Sequence, residues 1–316
     1  MQSLPTRTGL LGPSFVVLWS SGYVVGSVAT RSIAPLTVTL WRFVVSALVL
    51  AVIALYRREA WPVRPSDLGF TVVTGVVAFT VQFTALYRGL ADDMPAATTA
   101  LIACSAPLVV AVAGAGLGWD RLSARQWIGV VLGVLGVVVT LSDRLGRPPS
   151  LAALAWTLIG LGGLAVGSLL QGRLLGRGGP TALTAVQVAA GAVTTALWAP
   201  FAGSLRIPGS ASAWASFGWL ALVAGVVGPL LLLALIQRNG ATRGTSLLFL
   251  VPSVTALVAW AMLREPVGPV AVVGLGVAGL GLWLGRRTPP PLPSPVRVPT
   301  AVGVRTAPEA ELCGSP

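Results

Sequence analysis

Long apolar runs recur along this chain, each ended by arginines, acidic residues, prolines or glycines. An α-helix rises about 1.5 Å per residue, so about 20 mostly apolar residues cross roughly 30 Å of hydrocarbon. Runs of that kind lie near 11–29, 35–56, 68–87, 95–118 and 126–142, and again near 150–170, 180–201, 214–236, 244–263 and 267–285. The links between them are short. The pattern predicts an all-α polytopic membrane protein with ten transmembrane helices in one bundle.

Composition agrees. Of 316 residues 55% are hydrophobic and 9% charged, against roughly 25% charged in ordinary soluble domains. The net charge of +12 does not point to nucleic acid, because the arginines punctuate the apolar runs and do not cluster on one basic face. All 21 basic residues are Arg, and with 38 Gly and 24 Pro this matches the codon bias of a GC-rich bacterial genome. The expected location is therefore a bacterial plasma (inner) membrane, with the lipid bilayer as principal partner. His is absent, and Cys104 and Cys313 make neither a disulfide framework nor a metal cage, so no cofactor or metal is expected. The first run lacks a following small-residue cleavage site and reads as a retained anchor.

Cytoplasmic loops carry the excess of positive charge. With the N-terminus inside, fourteen arginines face the cytoplasm: Arg7, Arg57, Arg58, Arg64, Arg121, Arg125, Arg173, Arg177, Arg238, Arg243, Arg286, Arg287, Arg297 and Arg305. Six face outward, Arg31, Arg88, Arg144, Arg147, Arg206 and Arg264, and Arg42 lies inside a span. Both termini are expected in the cytoplasm. Residues 1–10 read as a short cytoplasmic N-terminus, and 288–316, with Pro289, Pro290, Pro291, Pro293, Pro295 and Pro299, as a disordered cytoplasmic tail.

An offset of 145 residues relates Pro35 to Pro180, Arg42 to Gln187, Ala96 to Ala241, Pro107 to Pro252, Asp120 to Glu265, Gly129 to Gly274 and Gly136 to Gly281. Two five-helix repeats follow, over 11–145 and 146–287. Five spans per repeat is an odd number, so the second enters the membrane from the opposite side and the repeat is inverted.

Trp19-Ser20-Ser21-Gly22-Tyr23, Pro35-Leu36 with Arg42-Phe43, Ala106-Pro107-Leu108, the stretch from Arg121 to Gly129 and Leu263-Arg264-Glu265-Pro266-Val267 stand in an order and spacing that resembles the EamA-type transporters of the drug/metabolite transporter superfamily. The likeness covers 11–285. It implies a ten-helix fold and efflux of amino acids, metabolites or drug-like compounds. Gly118-Trp119-Asp120 stands where the family usually has Gly-Glu, Ser27 where it often has Lys, and Asp92-Asp93 belongs to a third connection longer than usual.

Arg42 is the one charge well inside a span, about seven residues or roughly 10 Å from Pro35. Such a group marks a functional site by default, unless it snorkels outward or caps carbonyls within the bundle. Gln82 and Gln187 either face a shared cavity or bond between helices. Trp19 and Tyr23, one turn apart, offer a stacking surface or ordinary packing. Asp120 and Glu265 read as helix caps. Gly129, Gly133, Gly136, Gly274, Gly279 and Gly281 allow close helix approach, within the fold or between two protomers of a homodimer.

These residues favour a transporter of a small-molecule substrate by alternating access. A membrane-embedded enzyme would need a metal cluster, an activated nucleophile or paired carboxylates in one cavity, and the chain shows none of these patterns, so no catalytic residue is assigned. A passive channel or scaffold is the third class. Reporter fusions test the topology: after Arg58 and Arg287 only a cytoplasmic reporter should be active, and after Leu145 only a periplasmic one. A periplasmic signal at Arg287 would leave an odd number of spans.

Overall fold

The computed structural model describes residues 11–116, 122–142, 148–174, 176–198, 205–239, 247–265 and 267–285, and among these every regular element is helical. The N-terminus, the Asp120 turn, Ala241 and the Pro-rich tail lie outside them. Eight helices are long and apolar enough to cross a membrane: α1 (Leu11–Thr30), α2 (Pro35–Tyr56), α3 (Pro65–Ala91), α4 (Ala96–Gly116), α5 (Ala124–Ser142), α6 (Leu151–Gly172), α7 (Pro180–Leu197) and α8 (Ala211–Leu235). Two shorter apolar helices follow, α9 (Val251–Leu263) and α10 (Pro269–Gly285). The protein is a multi-pass membrane protein.

Local signals explain where the helices start. Proline opens α2, α3 and α7 at Pro35, Pro65 and Pro180, where its missing N–H costs nothing. Ser150 and Ser210 cap α6 and α8 by accepting from Ala153 and Ala213 N–H at 3.0 and 3.3 Å. Ser123 and Gln126 form a reciprocal capping box at α5: the Ser123 N–H donates to Gln126 Oε1 at 2.9 Å, and the Gln126 N–H donates to Ser123 Oγ at 3.3 Å.

One expectation, the long third connection, needs correction. The third span is longer than 68–87, and the link from α3 to α4 is only the residues 92–95, not an extended connection. Arg88 Nε meets the Asp92 carboxylate at 3.3 Å one turn on, and Asp93 then takes φ 66°, which ends the helix sharply. The fourth span is broken at Ser105, ahead of Pro107, which has no N–H to give to the preceding turn. The Ser105 hydroxyl donates to Leu101 O at 3.0 Å instead. The same break precedes α9, where the 3-10 turn Leu247–Leu250 runs into Val251-Pro252.

Packing inverts the rule for soluble helices. In α5 the buried positions are Gly129, Gly133, Gly136 and Thr140, while Val131, Val134, Leu135 and Val138 are exposed. Lipid tails are as apolar as leucine, so association rests on close backbone approach. The partner is α10. A Cβ on Gly129 would stand 2.7 Å from Gly281 O, one on Gly281 would stand 2.7 Å from Gly129 O, and one on Gly274 would stand 2.8 Å from Gly136 O. Packing within the fold therefore accounts for these glycines, whereas Gly276 and Gly279 meet nothing within 4 Å.

Leucine at Gly136 or Gly281 should thus force α5 and α10 apart, at a cost of about 3 kcal/mol or more because backbone has no room to yield. Leucine at Gly276 or Gly279 should be tolerated. Thermal unfolding in detergent, followed by size-exclusion chromatography, measures both; equal loss at all four positions would contradict the assignment of this interface.

Candidate functional site

The centre of the bundle is a cavity of about 570 Å³ whose lining comes from α1, α2, α3, α6, α7, α8 and the α6–α7 turn. Trp19, Tyr23, Arg42, Gln82 and Gln187, which the sequence scatters over four spans, all line it.

Irregular backbone shapes its walls. A π-helical segment, Val76–Val81, interrupts α3, and another, Trp219–Val227, interrupts α8 just before Gly228-Pro229. In α8 proline cannot supply the next ladder hydrogen bond, and a π turn loosens the ladder at such a point. Hydrogen bonds to neighbouring helices accompany both segments. Ser46 Oγ donates to Ala221 O, within the α8 segment, at 2.8 Å, and Thr80 Oγ1, within the α3 segment and beside Thr194 Oγ1 at 2.6 Å, donates to Gly191 O of α7 at 3.3 Å. At Gly75 a Cβ would come within 2.6 Å of Gln187 Cα, so α3 and α7 touch backbone to backbone beside the cavity.

Arg42 is 5% exposed. Its Nη1 donates to the Tyr87 hydroxyl, and its Cζ lies 4.2 Å from the Phe83 ring centre. Such cation–π contacts are worth about 2 kcal/mol when desolvated. Its Nε is buried without a hydrogen-bond partner among the described residues. Phe79, Phe83 and Tyr87 stand four residues apart on one stripe of α3, with neighbouring ring centres at 6.1 Å, and Phe43 of α2 meets Phe79 and Phe83 edge-on at 5.9 Å. Sequence reasoning missed this stripe, although its i, i+4, i+8 spacing beside Gln82 was there to be read.

The two ends of the cavity differ. At one, Tyr87 and Leu90 join a buried apolar cluster with Val24, Ile33, Val38 and Leu220, which plugs it. At the other the lining reaches Leu174, Gly178 and the exposed Gly176, whose φ of +80° makes the tight α6–α7 turn. The α2–α3 connection is tied to this turn. Glu59 Oε2 accepts from the Thr181 and Ala182 N–H groups at 2.7 and 3.0 Å, the Gly179 N–H donates to Ala60 O at 2.8 Å, and Arg177 Nη1 meets Asp67 at 2.8 Å. Glu265 is not among the residues that line the cavity and is half-buried after Arg264, whose φ of 55° ends α9.

The model of the EamA-like transporter family matches the chain twice, over residues 8–142 and 151–285. The chain belongs to that family. It is 24% identical over 291 residues to a probable amino-acid metabolite efflux pump of Escherichia coli, covering 88% of this chain and 94% of that one. An uncharacterised protein of Pseudomonas aeruginosa is 30% identical over 258 residues, 79% of this chain and 84% of its own. A solved crystal structure at 19% identity has the same fold, with a TM-score of 0.63 over 88% of this chain and 96% of that chain.

Glu59 stabilises the start of α7 from another helix pair, where a carboxylate meets both free N–H groups and the positive end of the helix dipole. Glu59→Ala should lower stability by about 1 kcal/mol, with Glu59→Gln intermediate. Arg177→Ala should change little, since an exposed ion pair contributes about 0–1 kcal/mol. Thermal shifts of the purified variants check this ranking.

Proposed function

We propose that the protein is an exporter of small organic compounds that works by alternating access, its two five-helix halves, α1–α5 and α6–α10, related by inversion. The observation that carries this reading is the central cavity, plugged by an apolar cluster at one end and reaching the surface at the other. Pseudo-symmetry supports it. The 145-residue offset sends the contact of Gly129 with Gly281 onto that of Gly274 with Gly136, as a two-fold axis in the membrane plane requires. It also sends the π segment of α3 onto that of α8, and the break at Ser105 onto Leu250. On this reading α9, with its preceding 3-10 turn, and α10 are the ninth and tenth spans.

Arg57, Arg58, Arg64, Arg173 and Arg177 lie on the two connections tied together beside the open end. By the excess of positive charge that face is cytoplasmic, and the conformation is inward-facing. Each half would rock against the other, opening the plug while closing the α6–α7 side. Export follows the name of the bacterial efflux relative, and the exposed valines, leucines and tryptophans of the outer helices suit a lipid surround.

The test holds the plugged end shut. Trp41 Nε1 donates to Leu205 O at 3.0 Å across the halves on that side. In a background with Cys104 and Cys313 replaced by serine, Trp41→Cys with Leu205→Cys should be bridged by a short bifunctional thiol reagent. Counterflow in proteoliposomes should then fall at least tenfold (about 1.4 kcal/mol) and stay normal in each single variant. Undiminished counterflow in the bridged protein would exclude alternation, and flux that neither saturates nor shows counterflow would mark a channel.

A further inference from the structure

Resting on the transporter reading, we propose that the cavity selects organic anions, specifically compounds with one carboxylate and an apolar or aromatic body, and that Arg42 is the residue that reads the carboxylate. Among the described residues that line the cavity, Arg42 is the one charged side chain. No Asp or Glu stands among them to receive an ammonium group. A cationic substrate therefore meets an uncompensated like charge in a poorly solvated space, and a zwitterion gains at one end what it loses at the other.

The guanidinium is held in a set orientation. Phe83 covers it at 4.2 Å, and Tyr87 takes a hydrogen bond from Nη1. Nη1 is the nitrogen on the Cδ side, so this bond leaves the opposite edge, Nε with Nη2, which is the fork a carboxylate takes side-on. Nε is buried with no hydrogen-bond partner among the described residues. A buried donor on a cation left without an acceptor is unfavourable, and a substrate oxygen would relieve it. Lysine offers a point charge and cannot reproduce this two-point geometry.

The rest of the lining sets the body of the ligand. Trp19, Tyr23 and Phe79 present rings, and Gln82 and Gln187 present amides. About 570 Å³ falls within the range that holds a small organic molecule. The pairing of Arg42 with uncharged Gln187 under the 145-residue offset leaves the cation unbalanced by the second half, so the preference is for a net negative ligand.

Three probes that share a phenethyl frame test the proposal: N-acetylphenylalanine (anion), its near-isosteric amide N-acetylphenylalanine amide (neutral) and the smaller phenethylamine (cation). Binding is measured by thermal stabilisation of the purified full-length protein, and transport by counterflow in proteoliposomes. The acid should bind at least tenfold more tightly than the amide, and phenethylamine should not bind. Arg42→Gln should make acid and amide equal, Arg42→Lys should retain only part of the preference, and Tyr87→Phe, which keeps the guanidinium, should retain it. The acid-to-amide ratio of the wild type carries the test even if Arg42→Gln accumulates poorly. Equal binding of acid and amide, binding of none of the three, or an unchanged ratio in Arg42→Gln would overturn the proposal. Anion-selective binding without counterflow would instead remove the transporter reading and leave the site, whereas saturable counterflow of phenethylamine would remove the site and leave the transporter.

Discussion

Every peptide group that crosses hydrocarbon must satisfy its N–H and C=O inside the protein, because lipid offers no partner. That constraint explains the all-helical architecture and most of its polar side chains. Thr30, Thr39, Thr74, Thr99, Thr140, Thr157 and Thr255 each donate back to the carbonyl four residues earlier, so their hydroxyls are satisfied within the helix that carries them. The exceptions are informative. Ser20, Ser46 and Thr80 donate across helices, Ser20 to Val251 O at the start of α9, Ser46 to the π segment of α8, and Thr80 from that of α3 to α7. Irregular backbone at membrane depth is tolerated where it is enclosed in protein or lines a cavity, and both π segments do the latter.

The same constraint shapes the packing. With no hydrophobic drive between helices, α5 and α10 approach through glycine backbones, and their large side chains turn outward. Where that approach is closest the buried positions are glycines and a threonine, while Phe15, Phe43, Leu50 and Leu101 fill other parts of the interior. A bilayer-facing surface of valine, leucine and tryptophan and a glycine seam between α5 and α10 are two consequences of one solvent.

Arg42 shows how a charge survives in such an interior. Its burial is offset by the Phe83 face and the Tyr87 hydroxyl, both on α3, while Phe43 follows it on α2. These partners do not neutralise the charge. An acidic neighbour would have stabilised the arginine more and left nothing for a ligand, so a cation held by aromatic groups is structurally secured and still electrostatically unfilled.

The chain by itself determined a great deal. Apolar length marked the eight helices long enough to cross a membrane and the two shorter ones after them, since a bilayer demands about 20 apolar residues of a span. Pro35 and Pro180 marked two starts, and the 145-residue offset exposed two matching halves, including the glycines that prove to face one another. Arg42, Trp19, Tyr23, Gln82 and Gln187 stood out because polar or amphipathic groups are costly in apolar helices. Local pattern did not tell where α3 ended, because the Arg88–Asp92 pair and the turn at Asp93 carry polar residues that equally suit a loop. It did not reveal the π segments, the one in α3 having no proline beside it, nor that the glycine stripes are used within one chain. Only the tertiary structure brought the five candidates around one cavity and set Phe83 and Tyr87 on Arg42. Contacts between helices distant in sequence depend on crossing positions and rotations, and a hydropathy pattern specifies that a helix spans the membrane without specifying which face meets which neighbour.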